Sequence, residues 1–331
     1  MDLTVFTAVT DPSQVAEARR LVRDLALRTG LSAMRVDQVA IIVTELATNL
    51  LKHGGGGHIH ARRCDDAGGS GLELLSLDKG AGMTDPRRCM QDGYSTAGSA
   101  GNGLGAISRL ADAVEIYSRP QQGCAIMVRV LRPEAGTAGA LVGATLAPYP
   151  GELVCGDSWS WCDSGRGTTV MLADGSGHGS EAARAAELAV RTFVTHAEAS
   201  AEEIVERMHL ALGPTRGAAV AVARIDTASR VIRYVGVGNI SGMVVTGGRS
   251  RHMVSHNGTA GHVAPRIREF TYEFDSEPLV ILHSDGLTSR WDLAAHQGLA
   301  AQHPSLVAGV LLRDHRRGRD DASVIALRPV R

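Results

Sequence analysis

Apolar residues along this chain follow two spacings, and the change from one to the other marks out its elements. Leu3, Val5 and Ala8 alternate with polar neighbours, which predicts a short opening strand. Asp11-Pro12 follows as a helix N-cap with proline at the first helical position. Val15, Ala18, Leu21, Val22 and Leu25 then recur at helical spacing, and Gly30 stops the helix. Ser32 caps a second predicted helix with Val36, Val39, Ala40, Val43, Leu46 and Leu50 on its apolar side. Beyond Gly54-Gly55-Gly56-Gly57, strands are predicted over 58–62 and 72–77. A loop-rich stretch runs to Gly103, followed by a helix over 104–110 and a hairpin of strands 114–118 and 125–131. Strands and helices mix without a βαβ rhythm, so this part reads as an α+β layer.

The remainder is richer in strands, predicted over 168–173, 218–225, 231–237, 242–245, 270–274, 279–283 and 323–327. Helices are predicted over 181–197, 201–211 and near 304–312, which suggests a β-sandwich with helices outside. Between the two parts, Pro133-Glu134-Ala135-Gly136-Thr137-Ala138-Gly139-Ala140 is small, flexible and without period. We therefore expect an α+β chain of two domains, over 1–132 and 148–331, joined by a linker over 133–147.

Composition narrows the functional classes. Acidic and basic residues nearly cancel, 35 against 34, so nothing suggests nucleic-acid binding. The basic run 313–319 is broken by Asp314 and Gly318 and reads as solvated surface. No apolar stretch is long enough to span a membrane and no signal peptide is visible at the start. The five cysteines form no CxxC pair, so Cys155 and Cys162 are expected as reduced thiols in a cytoplasmic protein. His58-Ile59-His60 reads as a surface strand rather than a metal site, and Trp159 and Trp161 as packing at a domain edge. Glycine is the excess residue, 39 of 331, against 4% aromatics. Either tight turns or backbone-lined ligand loops would account for it.

Three clusters in the first part carry ligand chemistry. Glu45 and Asn49 lie four apart and share a helix face, which Lys52 and His53 extend by about one turn. Asp78-Lys79-Gly80-Ala81-Gly82 ends an apolar strand, and its glycines let backbone approach a flat ligand. Gly98-Ser99-Ala100-Gly101-Asn102-Gly103-Leu104-Gly105 opens a helix as an anion cradle. In this order and spacing they resemble the N, G1 and G2 boxes of the GHKL ATPase/kinase superfamily. The run from Thr44 to His53 is similar to the small anti-sigma and switch serine kinases. The resemblance implies a Bergerat ATP-binding α/β sandwich using ATP and Mg²⁺. It implies Asn49 holding Mg²⁺, Lys52 beside the nucleotide and Asp78 accepting from the adenine amino group. Gly80 and Gly82 would border the base, and Gly101, Gly103, Leu104 and Gly105 would cradle phosphate. Glu45 would be the base or orienter for a protein hydroxyl.

In the second part acidic residues recur at predicted strand ends. These are Asp157, Asp174 in Asp174-Gly175-Ser176-Gly177-His178-Gly179, Asp285 in Asp285-Gly286, and Asp320-Asp321. Carboxylates next to glycine suit a hard cation, and two such cations about 3.5–4 Å apart suit phosphoryl chemistry. With Arg216-Gly217-Ala218-Ala219, Gly236-Val237-Gly238-Asn239 and Asn257-Gly258-Thr259, the set resembles PPM-type serine/threonine phosphatases of the SpoIIE-like branch. That resemblance implies a PPM-type αββα sandwich with two Mn²⁺ or Mg²⁺. It implies Asp174 bridging both metals with the Gly175 carbonyl assisting, Asp157 at one metal, and Asp285 and Asp320, in preference to Asp321, at the other. The eukaryotic branch has a proton-donating His directly after Asp-Gly. Here His178 lies two residues further on and is read as a helix-start or packing residue. No arginine precedes Asp157 in the position of a phosphate ligand. Together the resemblances imply a bifunctional partner-switch regulator acting on a STAS-type anti-sigma antagonist or stressosome-type protein, with a sigma factor as a further candidate partner. The alternative is a phosphatase gated by an ATP-binding, partner-binding domain that transfers nothing.

Overall fold

The computed structural model describes residues 4–89, 103–134, 136, 139–164, 167–288 and 290–330. The chain divides into two compact units, 1–137 and 138–331.

Strand β1 (Thr4–Val9) leads to helix α1 (Pro12–Arg28), which starts where the pattern predicts. Asp11 Oδ1 accepts from the Ser13 amide at 2.9 Å, and Gln14 Oε1 accepts back from the Asp11 amide at 3.0 Å, closing a capping box. Helix α2 (Ala33–Asn49) begins at the Ser32 cap and buries Val36, Val39, Ile42, Val43, Leu46 and Ala47. Each large aliphatic among them contributes about 1.5–3 kcal/mol, so the register of α2 is firmly set. Its continuation is not α-helical: Leu50–Gly54 forms a π-helical turn and the chain reverses at Gly55 with φ 67°. Lys52 and His53, read as extending the Glu45/Asn49 face, lie on this π-helical turn and are exposed.

Strands β2 (Gly57–Asp66) and β3 (Gly69–Asp78) follow, then helices α3 (Pro86–Cys89) and α4 (Gly103–Leu110) and strands β4 (Ala113–Ser118) and β5 (Cys124–Leu131). They form one antiparallel sheet in the order β1-β2-β3-β5-β4. One face packs Ile59, Ala61, Leu72, Leu74, Ile126, Val128 and Val130 against α1, α2 and α4. Period-2 alternation sends polar residues to the other face. There Arg129 pairs with Asp66 at 2.8 Å and Glu73 at 2.7 Å, and Arg62 reaches Glu73 at 2.8 Å, all with side chains at most 4% exposed. His60 also lies on this face, fully buried, and burial pushes it down to about 3. The surface-strand reading of His58–His60 is thus corrected: β2 is a central strand, and His58 stacks on Phe6 at 4.8 Å.

The second unit starts earlier than predicted. Residues 140–147, assigned to the linker, form β6 (Ala140–Ala147), which pairs antiparallel with the last strand, β16 (Ala322–Pro329). Eight small and apolar residues look like a linker until a distant partner strand offers them a ladder. Strand β7 (Asp157–Ser164) pairs β8 (Gly167–Gly175), followed by α5 (Ser180–Thr195), α6 (Ala201–Leu212), β9 (Ala218–Asp226) and β10 (Val231–Val237). Then come β11 (Ser241–Thr246), β12 (Arg249–Met253), β13 (Ser255–His256), β14 (Phe270–Glu273), β15 (Leu279–His283) and α7 (Pro304–His315). Two sheets result, β13-β10-β9-β8-β7 with β14 on β10, and β12-β11-β15-β16-β6. Their facing sides share one core that includes Trp159, Tyr234, Leu282 and Leu327. Trp159 is therefore interior although β7 is an edge strand. Helices α5 and α6 cover the first sheet through Phe193, Ile204 and Met208, and α7 packs on β6 and β16 of the second. This is the αββα sandwich. The 313–319 run is only partly solvated: Arg313 is 5% exposed and held by both oxygens of Asp314.

The ion-pair face of the first unit yields a stability test. Glu73→Gln leaves two buried guanidinium groups undercompensated and should cost about 3–5 kcal/mol. Arg23→Ala, which removes an exposed pair with Asp37, should cost under about 0.5 kcal/mol. Urea unfolding of the two variants measures the contrast.

Candidate functional site

In the first unit, α2 and α4 bring two of the three clusters together. A Cβ added to Gly103 would lie 3.0 Å from Glu45 Oε2 and 3.8 Å from the Asn49 amide. The glycine is what lets the start of α4 approach the acid and amide of α2 this closely. Gly105 is buried on the same helix and Leu104 packs on the core, which fixes how α4 enters. Gly101 lies outside the described residues. At the end of β3, Asp78 Oδ1 accepts from the amides of Gly80 at 2.9 Å and Cys124 at 3.2 Å. A Cβ on Gly80 would come within 2.6 Å of the His53 carbonyl and 2.8 Å of Gly54 Cα, so the Asp78–Gly82 turn lies directly against the π-turn that ends α2. Gly82 has φ 68° and would press a Cβ into the Arg119 carbonyl. At both positions the missing side chain lets one backbone segment pack directly on another. Lys52 is exposed on the π-turn.

In the second unit, the strand register places Asp157 directly opposite Asp174. Asp174, Asp285 and Asp320 line one cavity of about 460 Å³, together with Asn239 and the 257–259 turn. Asp157 lies beneath them, 1% exposed, and neither of its carboxylate oxygens has a hydrogen-bond partner. Gly175 is buried at the end of β8, where a Cβ would strike the Ala182 carbonyl of α5. Among the described residues no three His, Cys, Asp or Glu side chains close into a finished cation cage. Uncompensated carboxylates repel one another, and here they line an open cavity. The residues nevertheless fit divalent cations. Buried oxygens without partners are costly, and hard cations that favour oxygen ligands satisfy them.

The structure gives contacts to three side chains at this site: Asp321, which the sequence reading set behind Asp320, Asn239, which it quoted without a role, and Glu152, which it did not single out. Asp321, next to the preferred Asp320, is 3% exposed; its Oδ1 accepts from the Tyr149 amide at 2.8 Å and its Oδ2 is buried without a partner. Asn239 donates to Asp285 Oδ2 at 2.7 Å and orients it. Glu152 Oε1 meets His178 Nδ1 at 2.9 Å, and the His178 ring stacks on Tyr149 with centroids 4.2 Å apart. These two face a neighbouring cavity of about 370 Å³ that also takes in Arg216 and shares Gly177 with the first. The pairings of Glu152 and Asn239 carry no spacing signal, because their partners lie 26 and 46 residues away.

Electrostatics follow from this crowding. Burial pushes the Asp174 carboxyl up to about 9, with the charges of Asp157, Asp285 and Asp320 acting in the same direction. Burial also raises Asp157 to about 7; the nearby Ser323 and Ser284 hydroxyls oppose the shift, while the Asp321 charge adds to it. Asp320 is raised by burial and by Asp285.

Comparison with known proteins assigns each unit to a family. The histidine kinase-like ATPase domain model matches residues 8–129, and the stage II sporulation protein E (SpoIIE) model matches residues 164–330. The serine/threonine-protein kinase RsbT of Bacillus subtilis (strain 168) is 33% identical over 112 residues, covering 34% of this chain and 84% of RsbT. The phosphoserine phosphatase RsbX of the same organism is 27% identical over 139 residues, covering 41% of this chain and 69% of RsbX. A crystal structure of RsbX in complex with magnesium superposes with TM-score 0.52 at 19% identity, over 66% of this chain and all of that one, which shows the shared fold. The class is a GHKL-like ATPase domain followed by a PPM-type serine/threonine phosphatase domain. The chain belongs to the SpoIIE family, and its first unit matches the histidine kinase-like ATPase domain and is similar to RsbT. No helix among the described residues is long and apolar enough to cross a membrane.

The raised carboxyls predict how stability depends on pH. With folded values above the ordinary 3.9 or so, the folded metal-free unit holds protons that the unfolded chain releases. Its stability should therefore fall as pH rises from about 4 to about 9. Metal ligation requires the deprotonated groups, so the increase in Tm on adding Mn²⁺ should grow over the same range. Thermal unfolding from pH 5 to pH 8.5, in EDTA and in Mn²⁺, measures both slopes; a metal-induced shift independent of pH would contradict the assignment.

Proposed function

We propose that this chain is a bifunctional partner-switch regulator. Its first unit phosphorylates a serine or threonine on a STAS-type protein, and its second removes phosphate from that protein or a relative. The observation that carries the proposal is that one chain holds both arrangements: Gly103 against Glu45 and Asn49, and Asp174, Asp285 and Asp320 on one cavity above Asp157. The names of the relatives, a serine/threonine kinase and a phosphoserine phosphatase, support the pairing.

In the first unit, Asn49 holds the Mg²⁺ that accompanies ATP, and Asp78, pinned by the Gly80 and Cys124 amides, receives the adenine amino group. Gly80 and Gly82 border the base, and the amides from Gly101 to Gly105 receive phosphate. Glu45 orients the acceptor hydroxyl for transfer, a reaction that depends mainly on positioning and charge. In the second unit, Asp157, Asp174, Asp285 and Asp320, with the Gly175 carbonyl, hold two Mg²⁺ or Mn²⁺, and Asp321 braces the loop carrying Tyr149. Bound metals supply positive charge to the phosphoryl oxygens and acidify water. Asn239 keeps Asp285 turned toward the cavity.

Two variants separate the halves. Asp174→Asn should lower phosphate release from a serine-phosphorylated STAS protein by about 100-fold or more. In that background, label from γ-³²P-ATP should accumulate on the STAS protein, and adding Asn49→Ala should abolish it. Undiminished release by Asp174→Asn would overturn the metal assignment. Absence of label in the same variant would overturn the kinase half and leave an ATP-binding module that gates the phosphatase.

A further inference from the structure

Arg216 and Gly217 stand immediately before β9, and the β8–β9 register sets Ala218 opposite Gly175 and Ala219 opposite Asp174. The arginine is therefore two residues from the strand positions that face the carboxylate end of β8. Its loop is held on several sides. The Thr215 hydroxyl donates to the Leu212 carbonyl at 2.7 Å, and the Gly217 amide donates to that hydroxyl at 3.0 Å. The Ser176 amide donates to the Gly217 carbonyl at 3.0 Å, which ties this loop to the turn after Asp174 and Gly175. Gly217 has φ 75°, and a Cβ there would come within 2.7 Å of the Ala260 carbonyl and of Thr259 Cγ2. Ser176, Gly177 and Thr259 all line the carboxylate cavity, so the backbone at Arg216 is fixed at its edge while the side chain stays exposed. A Cβ built on Gly177 would lie 3.3 Å from an Arg216 guanidinium nitrogen. The guanidinium thus lies against Gly177, the residue shared by the carboxylate cavity and its neighbour.

Charge gives this placement a use. Among the described residues lining the two cavities, Arg216 is the only arginine or lysine. Glu152 and Glu181 line the same cavity, but Glu152 is engaged by His178. Among the described residues none holds the Arg216 guanidinium by a hydrogen bond or ion pair. Two divalent cations would no more than balance the charges of Asp157, Asp174, Asp285 and Asp320. A phosphoryl dianion arriving there still needs a cation of its own, and no arginine precedes Asp157 to supply one. We propose that Arg216 takes this part: its guanidinium turns past Gly177 and donates to the phosphoryl oxygens of the substrate. A planar guanidinium offers parallel N–H donors that match such oxygens in pairs, and it keeps its charge at any working pH. It exchanges no proton during hydrolysis; it fixes the phosphoryl group and offsets its charge. Turning toward the cavity breaks no existing pair with a described residue. The inference rests on the phosphatase reading of the second unit.

The test follows Arg216→Ala and Arg216→Lys in the full-length, Mn²⁺-loaded chain. Arg216→Ala should lower kcat/KM by about 10–100-fold for p-nitrophenyl phosphate and for a serine-phosphorylated STAS protein alike, because both carry the same phosphoryl group. The inhibition constant of inorganic phosphate should rise by about 10-fold or more. Arg216→Lys keeps the charge without the fork and should recover part of both losses. Mn²⁺ affinity, read from the electron paramagnetic resonance of free Mn²⁺, should not fall in either variant, and Tm should stay within about 2 °C. A fall in Mn²⁺ affinity or Tm that accounts for the lost activity would assign Arg216 to the fold and overturn the proposal. A loss confined to the phosphoprotein would also overturn it, assigning Arg216 to an acidic side chain of the partner. A wild-type chain without Mn²⁺-dependent activity on either substrate would overturn the phosphatase reading and the proposal together. Wild-type activity and phosphate inhibition that persist undiminished in Arg216→Ala would overturn the proposal alone.

Discussion

Carboxylates that repel one another must converge at the end of the second unit, and its architecture serves that constraint. Two unit charges about 4 Å apart cost roughly 4 kcal/mol at the effective dielectric near a protein surface. Asp157 and Asp174 are held opposite each other by an antiparallel register with apolar residues on its inner face. Asp285 follows β15 and Asp320 precedes β16, two paired strands of the opposite sheet. The sandwich core thus supplies the stability that the acidic end consumes. The raised carboxyls record the strain that a cation relieves.

The first unit solves a different problem with different material. It brings backbone segments close together by omitting side chains. Gly80, Gly82 and Gly103 each sit where a Cβ would meet another part of the site. The π-turn after Asn49 ends α2 and lets Gly80 pack on the His53 carbonyl. Part of the glycine excess is therefore accounted for by tight turns with positive φ and by positions where one backbone segment packs on another.

Most of the fold was legible because burial imposes period 2 on the strands and about 3.6 on the helices. Both capped helices of the first unit begin where Asp11 and Ser32 indicate. The readings that failed were those in which a distant segment decides. Ala140–Ala147 is a strand only because β16 pairs with it, and His60 is buried only because β2 lies inside a sheet. Trp159 looks like edge packing from its neighbours but points between two sheets.

For the sites the division is similar. Residue type and local spacing singled out the carboxylates, the glycines and the Glu45/Asn49 pair as candidates, because metal and phosphate chemistry restrict which groups can serve. The tertiary structure alone decided that Gly103 reaches α2, that Asp321 is buried beside the site, and that Glu152 holds His178 while Asn239 holds Asp285. Those contacts join residues far apart in the chain, and no local period records a partner that only the folded sheets bring near.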